Sequence, residues 1–178
     1  MTASVRARRP YREVRHARDP GPADTINVHN ISGTDAKEVA VDLGQADGSG
    51  DGQLDTVVID ATDGDDLISF STDNGVITVH GLGADVTIKG FEADDRIVIN
   101  GLGGDDVIDS SGLSGMLLTA HGGQGDDILL GSLGNDILTG DEGDDILFGN
   151  GGLDVLDGGP GSNILFPSLV AQQTEQLA

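Results

Sequence analysis

Apolar positions along the chain follow two rhythms. Between Asp24 and His80, β-branched and other apolar residues alternate with polar ones in the short runs VAVDL, DTVVID, LISFS and VITVH, separated by Gly, Asp and Asn. Alternation of period two between turn-forming residues predicts short half-buried strands, and no helix is expected. From Gly122 the rhythm becomes a nonapeptide. Glycine recurs every nine residues at Gly122, Gly131, Gly140, Gly149 and Gly158. A second glycine follows in phase at Gly125, Gly134, Gly143, Gly152 and Gly161, then Asp127, Asp136, Asp145, Asp154 and Asn163. Leu129, Leu138, Leu147, Leu156 and Leu165 complete the register, and a sixth copy stands apart at Gly101, Gly104, Asp106, Val107 and Ile108. Weaker echoes lie at 61–69 (ATDGDDLIS) and 90–98 (GFEADDRIV).

The first six residues of such a repeat form a loop, since glycine permits positive φ and close backbone approach, and Asp tolerates tight turns. The last three form a strand whose eighth-position leucine points inward. Two nonapeptides then make one 18-residue coil of a parallel two-sheet solenoid with a leucine ladder as its core. Stacking aligns loops 122–127, 140–145 and 158–163 in one column, and 131–136 with 149–154 in another. Like charges at strand spacing repel, and a hard divalent cation between loops relieves that repulsion. Calcium accepts six to eight oxygens in flexible geometry, magnesium demands a tighter octahedron, and zinc would want His or Cys.

Charge reinforces this picture. The chain has 178 residues, with 31 Asp+Glu against 9 Lys+Arg and a net charge of -22. It should repel phosphate backbones and anionic lipid, so nucleic acid is not an expected partner. No apolar run approaches the roughly 18 residues of a membrane span, and the absence of Cys excludes disulfides and thiolate metal sites. Residues 1–22 hold Arg6, Arg8, Arg9, Arg12, Arg15 and Arg18 without an apolar run of signal-peptide length, and read as a disordered basic segment.

The nonapeptides at 122–166 resemble the hemolysin-type calcium-binding repeats of the RTX group, whose consensus is Gly-Gly-x-Gly-x-Asp-x-(large apolar)-x. The resemblance implies an all-β, right-handed parallel β-roll of the serralysin C-terminal type, here preceded by irregular β-solenoid strands. It implies Ca²⁺ held between coils by the sixth-position side chains and loop carbonyls. Carried over by position, Asp106, Asp127, Asp136, Asp145, Asp154 and Asn163 are the side-chain ligands, and the loop glycines Gly122, Gly125, Gly131, Gly134, Gly140, Gly143, Gly149 and Gly152 belong to the metal site with them. Pairing Asp127 with Asp145, Asp136 with Asp154, and Asp145 with Asn163, plus Asp106 with Asp127, gives about three to four ions. The consensus second glycine is kept at Gly123 and Gly159 and replaced by Leu102, Ser132, Asp141 and Asn150, where loop conformation or affinity should differ. Asn163 supplies one oxygen and no charge, so the last site should be weakest. The fifth-position Asp105, Asp126 and Asp144 read as solvated loop charge.

Position seven is apolar in every copy although alternation turns it outward. With position nine it stacks Ile128/Leu130, Ile146/Phe148 and Ile164/Phe166 on one sheet, an expected contact face for a protein partner unless the tail FPSLVAQQTEQLA covers it. DGSGDG at 47–52 opens like an EF-hand loop, but Ser49 and Val58 stand at positions needing ligands, so it reads as a turn. No catalytic motif is visible.

The chain therefore reads as a disordered segment (1–22), a strand-rich solenoid-like region (23–100), a calcium-binding β-roll (101–166) and a tail (167–178). Its expected function is that of a non-enzymatic module that folds on Ca²⁺ binding, with affinities of about 10⁻⁴–10⁻³ M, secreted or at a bacterial cell surface. The alternatives are a structural or adhesive segment of a larger surface protein, and the detached C-terminal part of a secreted hydrolase.

Overall fold

The computed structural model describes residues 2–5, 23–29, 37–45 and 49–167. All regular structure in them is strand: β1 (Thr2–Val5), β2 (Thr25–Val28), β3 (Glu38–Asp42), β4 (Thr56–Asp60), β5 (Leu67–Asp73), β6 (Val76–His80), β7 (Asp85–Lys89) and β8 (Arg96–Gly103). There follow β9 (Val107–Asp109), β10 (Leu117–Gln124), β11 (Ile128–Leu130), β12 (Ile137–Glu142), β13 (Ile146–Phe148), β14 (Val155–Asp157) and β15 (Ile164–Phe166). The first sheet runs β1-β2-β4-β8-β10-β12-β14 and is parallel throughout. The second runs β15-β13-β11-β9-β5-β6-β7-β3. From β8 onward the chain alternates between sheets strand by strand, as the two-nonapeptide coil requires.

Period-two alternation places every second side chain between the sheets. In the first sheet Val28, Ile59, Ile99, Ala120 and Leu138 stand side by side, and in the second Ile68, Ile108, Leu129 and Leu147 do so, all but fully buried. The expected leucine ladder is thus the C-terminal continuation of an isoleucine and valine ladder. Leu165, on the last described rung, is 41% exposed.

Two features depart from the sequence reading. β6 is antiparallel to both β5 and β7, so VITVH is a strand that reverses direction within an otherwise parallel array. Alternation encodes which face is buried, and says nothing of direction. Thr2–Val5 is a strand paired in parallel with β2, where disorder was expected. The remaining arginine-rich residues 6–22 and the tail 168–178 lie outside the described residues, as does any covering of the apolar face by that tail.

Candidate metal centre

Loops that connect two parallel sheets leave amides pointing along the stacking axis with no strand partner, and buried amides require acceptors. The sixth-position carboxylates supply them. Asp66 N–H donates to Asp106 Oδ1 (2.8 Å), Asp106 N–H to Asp127 (2.8 Å), Asp127 N–H to Asp145 (2.9 Å), and Asp145 N–H to Asn163 Oδ1 (2.7 Å). On the opposite side Asp136 N–H donates to Asp154 Oδ1 (3.1 Å), and upstream Asp24 and Asp55 N–H donate to Asp55 and Asp95. Asp106, Asp127, Asp145, Asp154 and Asn163 therefore each reach back one coil. Asp106 and Asp127 are stacked neighbours although 21 residues apart, as the sequence register suggested.

The fifth position runs a second ladder in the opposite sense. Asp105 N–H donates to Asp65 Oδ1 (3.0 Å), Asp126 N–H to Asp105 (3.0 Å), Asp144 N–H to Asp126 (2.9 Å) and Ser162 N–H to Asp144 (2.8 Å). These side chains are exposed, as expected, but they are structural acceptors and not merely solvated charge. The alternation of Asp-Asp pairs along the repeats was the available signal: two amides per loop need two acceptors.

In Asp106, Asp127, Asp145 and Asp154 this ladder uses only Oδ1. Oδ2 of Asp106, Asp127, Asp145 and Asp154 is buried with no hydrogen-bond partner. It is packed against the first glycine of its own loop, where a Cβ on Gly122 would lie 2.1 Å from Asp127 Oδ2, which is why that position is glycine. The final copy shows what faces this oxygen. Asn163 Nδ2 donates to the carbonyls of Gly158 (2.7 Å) and Gly159 (3.0 Å), the first and second residues of its loop. Where Asp replaces Asn, an oxygen takes the place of that donor among carbonyl oxygens. Oxygen gathered on oxygen in a buried loop calls for a cation, and a set of carboxylate and carbonyl oxygens without nitrogen or sulfur suits calcium. No group of three or more His, Cys, Asp or Glu side chains that could hold a metal gathers among the described residues, so any ion here relies largely on backbone carbonyls.

The electrostatics agree. Burial is the main cause that pushes the Asp127 carboxyl up to about 7 and those of Asp106 and Asp136 to about 6, with neighbouring carboxylates adding to it. Asp145 and Asp154 are raised for the same first reason. Burial thus makes the charged form of each of these carboxyls costlier than in water, a cost that a cation among the loop oxygens would offset.

Second positions divide the loops into two kinds. Leu102, Gly123, Asp141, Asn150 and Gly159 all have positive φ, so the replacements of the consensus glycine hold its conformation at Leu102 (80°), Asp141 (70°) and Asn150 (64°). Ser132 does not. Its N–H donates to Asp136 Oδ2 (2.6 Å) and its Oγ to Asp136 Oδ1 (2.9 Å). Thr62, in the upstream echo, likewise donates N–H (2.8 Å) and Oγ1 (2.7 Å) to Asp66 Oδ2.

Outside the loops, Ser71 Oγ lies 3.2 Å from His80 Nε2, and His80 Nδ1 lies 3.1 Å from Asp85 Oδ1. This nucleophile, base and carboxylate order was not legible in sequence, because β5, β6 and β7 bring it together. The trio sits on an exposed strand surface, with Ser71 and Asp85 exposed and His80 partly so, and we assign it no chemistry.

Stacked parallel coils whose loops present orphaned carboxylate oxygens define a calcium-binding β-roll module. In agreement, residues 121–156 and 130–165 match the family model of the RTX calcium-binding nonapeptide repeat, in four copies. Residues 121–165 are RTX calcium-binding nonapeptide repeats. No curated protein and no solved structure matches the chain.

Proposed function

We infer that this protein is a non-catalytic calcium-ion module that completes its fold outside the cell, where calcium is abundant. The observation that carries this reading is the set of four buried, unpartnered Oδ2 atoms at Asp106, Asp127, Asp145 and Asp154. All of them lie downstream of residue 100, and no carboxylate oxygen before Asp106 is in that condition among the described residues. The upstream coils are complete by themselves; the roll is complete when cations join the carboxylates and the loop carbonyls. Metal binding then becomes folding free energy for residues 101–166. Extracellular-type affinity would leave the roll open at cytosolic calcium and closed after export.

Far-UV circular dichroism of the full chain during a Ca²⁺ titration, with Mg²⁺ as control, tests the reading. A calcium-specific gain of β signal is expected. A chain that is fully folded in chelator and indifferent to calcium would show that the loops are ordinary turns.

One observation favours a second role beside this one, as a docking scaffold in a larger surface assembly. Phe148 and Phe166 stack on the outer face of the second sheet with ring centroids 4.5 Å apart, and Ile164 and Phe166 are about half exposed. Sedimentation at rising concentration, with and without calcium, reports whether that face binds another chain.

A further inference from the structure

The two kinds of loop are not scattered. In the first column, loops follow β4, β8, β10, β12 and β14, and the hydroxyl-bearing loop 62–66 is the one that precedes all the loops with orphaned oxygens. In the second column the hydroxyl-bearing loop 132–136 directly precedes loop 149–154, which has one. At the far end of the first column, Asn163 donates to its own loop carbonyls and leaves no oxygen free.

We propose that Thr62, Ser132 and Asn163 are terminators of the calcium columns: their side chains do within the loop what an ion does elsewhere, and confine calcium to the loops of Asp106, Asp127, Asp145 and Asp154. The proposal rests on the calcium reading above and narrows it, since Asp136 and Asn163 match the ligand position in sequence and are filled by hydrogen bonds in the structure. Two independent features support it. The sixth-position carboxylate receives the second-position N–H and hydroxyl only in loops 62–66 and 132–136, at 2.6–2.9 Å. The backbone differs with it: Gly134 and Gly64 lack the positive φ of their counterparts Gly104, Gly125, Gly143, Gly152 and Gly161. Gly134 N–H instead donates to Ser132 Oγ (2.9 Å), a turn that replaces the ion-type loop. Asp136, whose Oδ1 and Oδ2 both accept from Ser132, has no unpartnered oxygen left in its loop, and Asp66 Oδ2 is filled in the same way by Thr62.

The full chain and three variants, Asp136→Asn, Ser132→Gly and Asp127→Asn, would be loaded with saturating Ca²⁺ and the bound ions counted by native mass spectrometry and equilibrium dialysis. Asp136→Asn should bind as many ions as the wild type, Asp127→Asn fewer, and Ser132→Gly, which restores the consensus glycine, one more. Loss of an ion in Asp136→Asn, or no gain in Ser132→Gly, overturns the proposal while leaving calcium binding intact. Ser132→Gly removes no carboxylate and carries the test if Asp136→Asn does not fold. A wild-type chain that binds no calcium overturns the underlying reading instead.

Discussion

Replacing Asp127 by Asn should invert the order of stability between chelator and calcium. The side chain is 1% exposed, and its Oδ1 accepts the Asp106 amide while Oδ2 has no partner. Asn keeps the first contact. Its amide can make the second as Asn163 does, donating to the loop's first and second carbonyls. In chelator above neutral pH, the wild type must hold a buried charge that burial has moved from 3.8 to about 7, a cost of roughly 4 kcal/mol. The sign follows from linkage: a carboxyl raised on folding binds more protons in the folded state, so wild-type stability falls as pH rises from about 4 to about 7. The Asn variant lacks that slope. Their difference should be near zero at pH 4 and should favour the variant by up to roughly 4 kcal/mol at pH 8. Calcium reverses this, because a ligand at about a hundred times its Kd adds about 2.7 kcal/mol per site, and Asp127 adjoins the loops of both Asp106 and Asp145. Urea unfolding at pH 4.5 and 8, in chelator and in calcium, reads these values, and where the wild-type roll is already open in chelator at pH 8 the Asn variant should retain more far-UV β signal there. A variant less stable than the wild type in chelator at pH 8 would refute the claim that Asp127 carries an uncompensated charge.

Other perturbations separate packing, loop type and chemistry. Gly143→Ala would place a Cβ 1.8 Å from the Gly125 carbonyl at a φ of 148°, so it should lower the thermal midpoint sharply even in calcium. Gly134→Ala, at the same repeat position with nothing nearer than Ser132 Oγ at 3.3 Å, should be nearly neutral; equal effects would dissolve the distinction between loops. Leu147→Ala removes a fully buried rung between Leu129 and Leu165 and should cost about 2–5 kcal/mol by chemical denaturation in calcium. Hydrolysis of an activated ester by the chain should equal that of its Ser71→Ala variant, and a Ser71-dependent rate would contradict the non-catalytic reading.

What was legible in sequence was whatever the stacking repeats. Period nine marks the positions where a side chain would collide, such as Gly122, and those where an acceptor is needed, such as Asp127. The pairing of Ile128 with Ile146, and of Ile146 with Ile164, follows from that register alone. The reversal of β6 was hidden because buried and exposed faces alternate identically in either direction. The closing role of Ser132 was hidden for another reason: as a departure from consensus it reads as a weakened copy, and only the positions of its amide and hydroxyl against Asp136 reveal a substitute for the ion.

Because a coil is two nonapeptides serving two unlike sheets, such a chain can lengthen or shorten only in even steps. Eighteen inserted residues add one rung to each column and leave everything downstream in place. Nine would move every later repeat to the opposite side, so that Phe148 and Phe166 left the aromatic face for the sheet that bears Thr139 and Asp157. Duplication in this architecture is governed by parity.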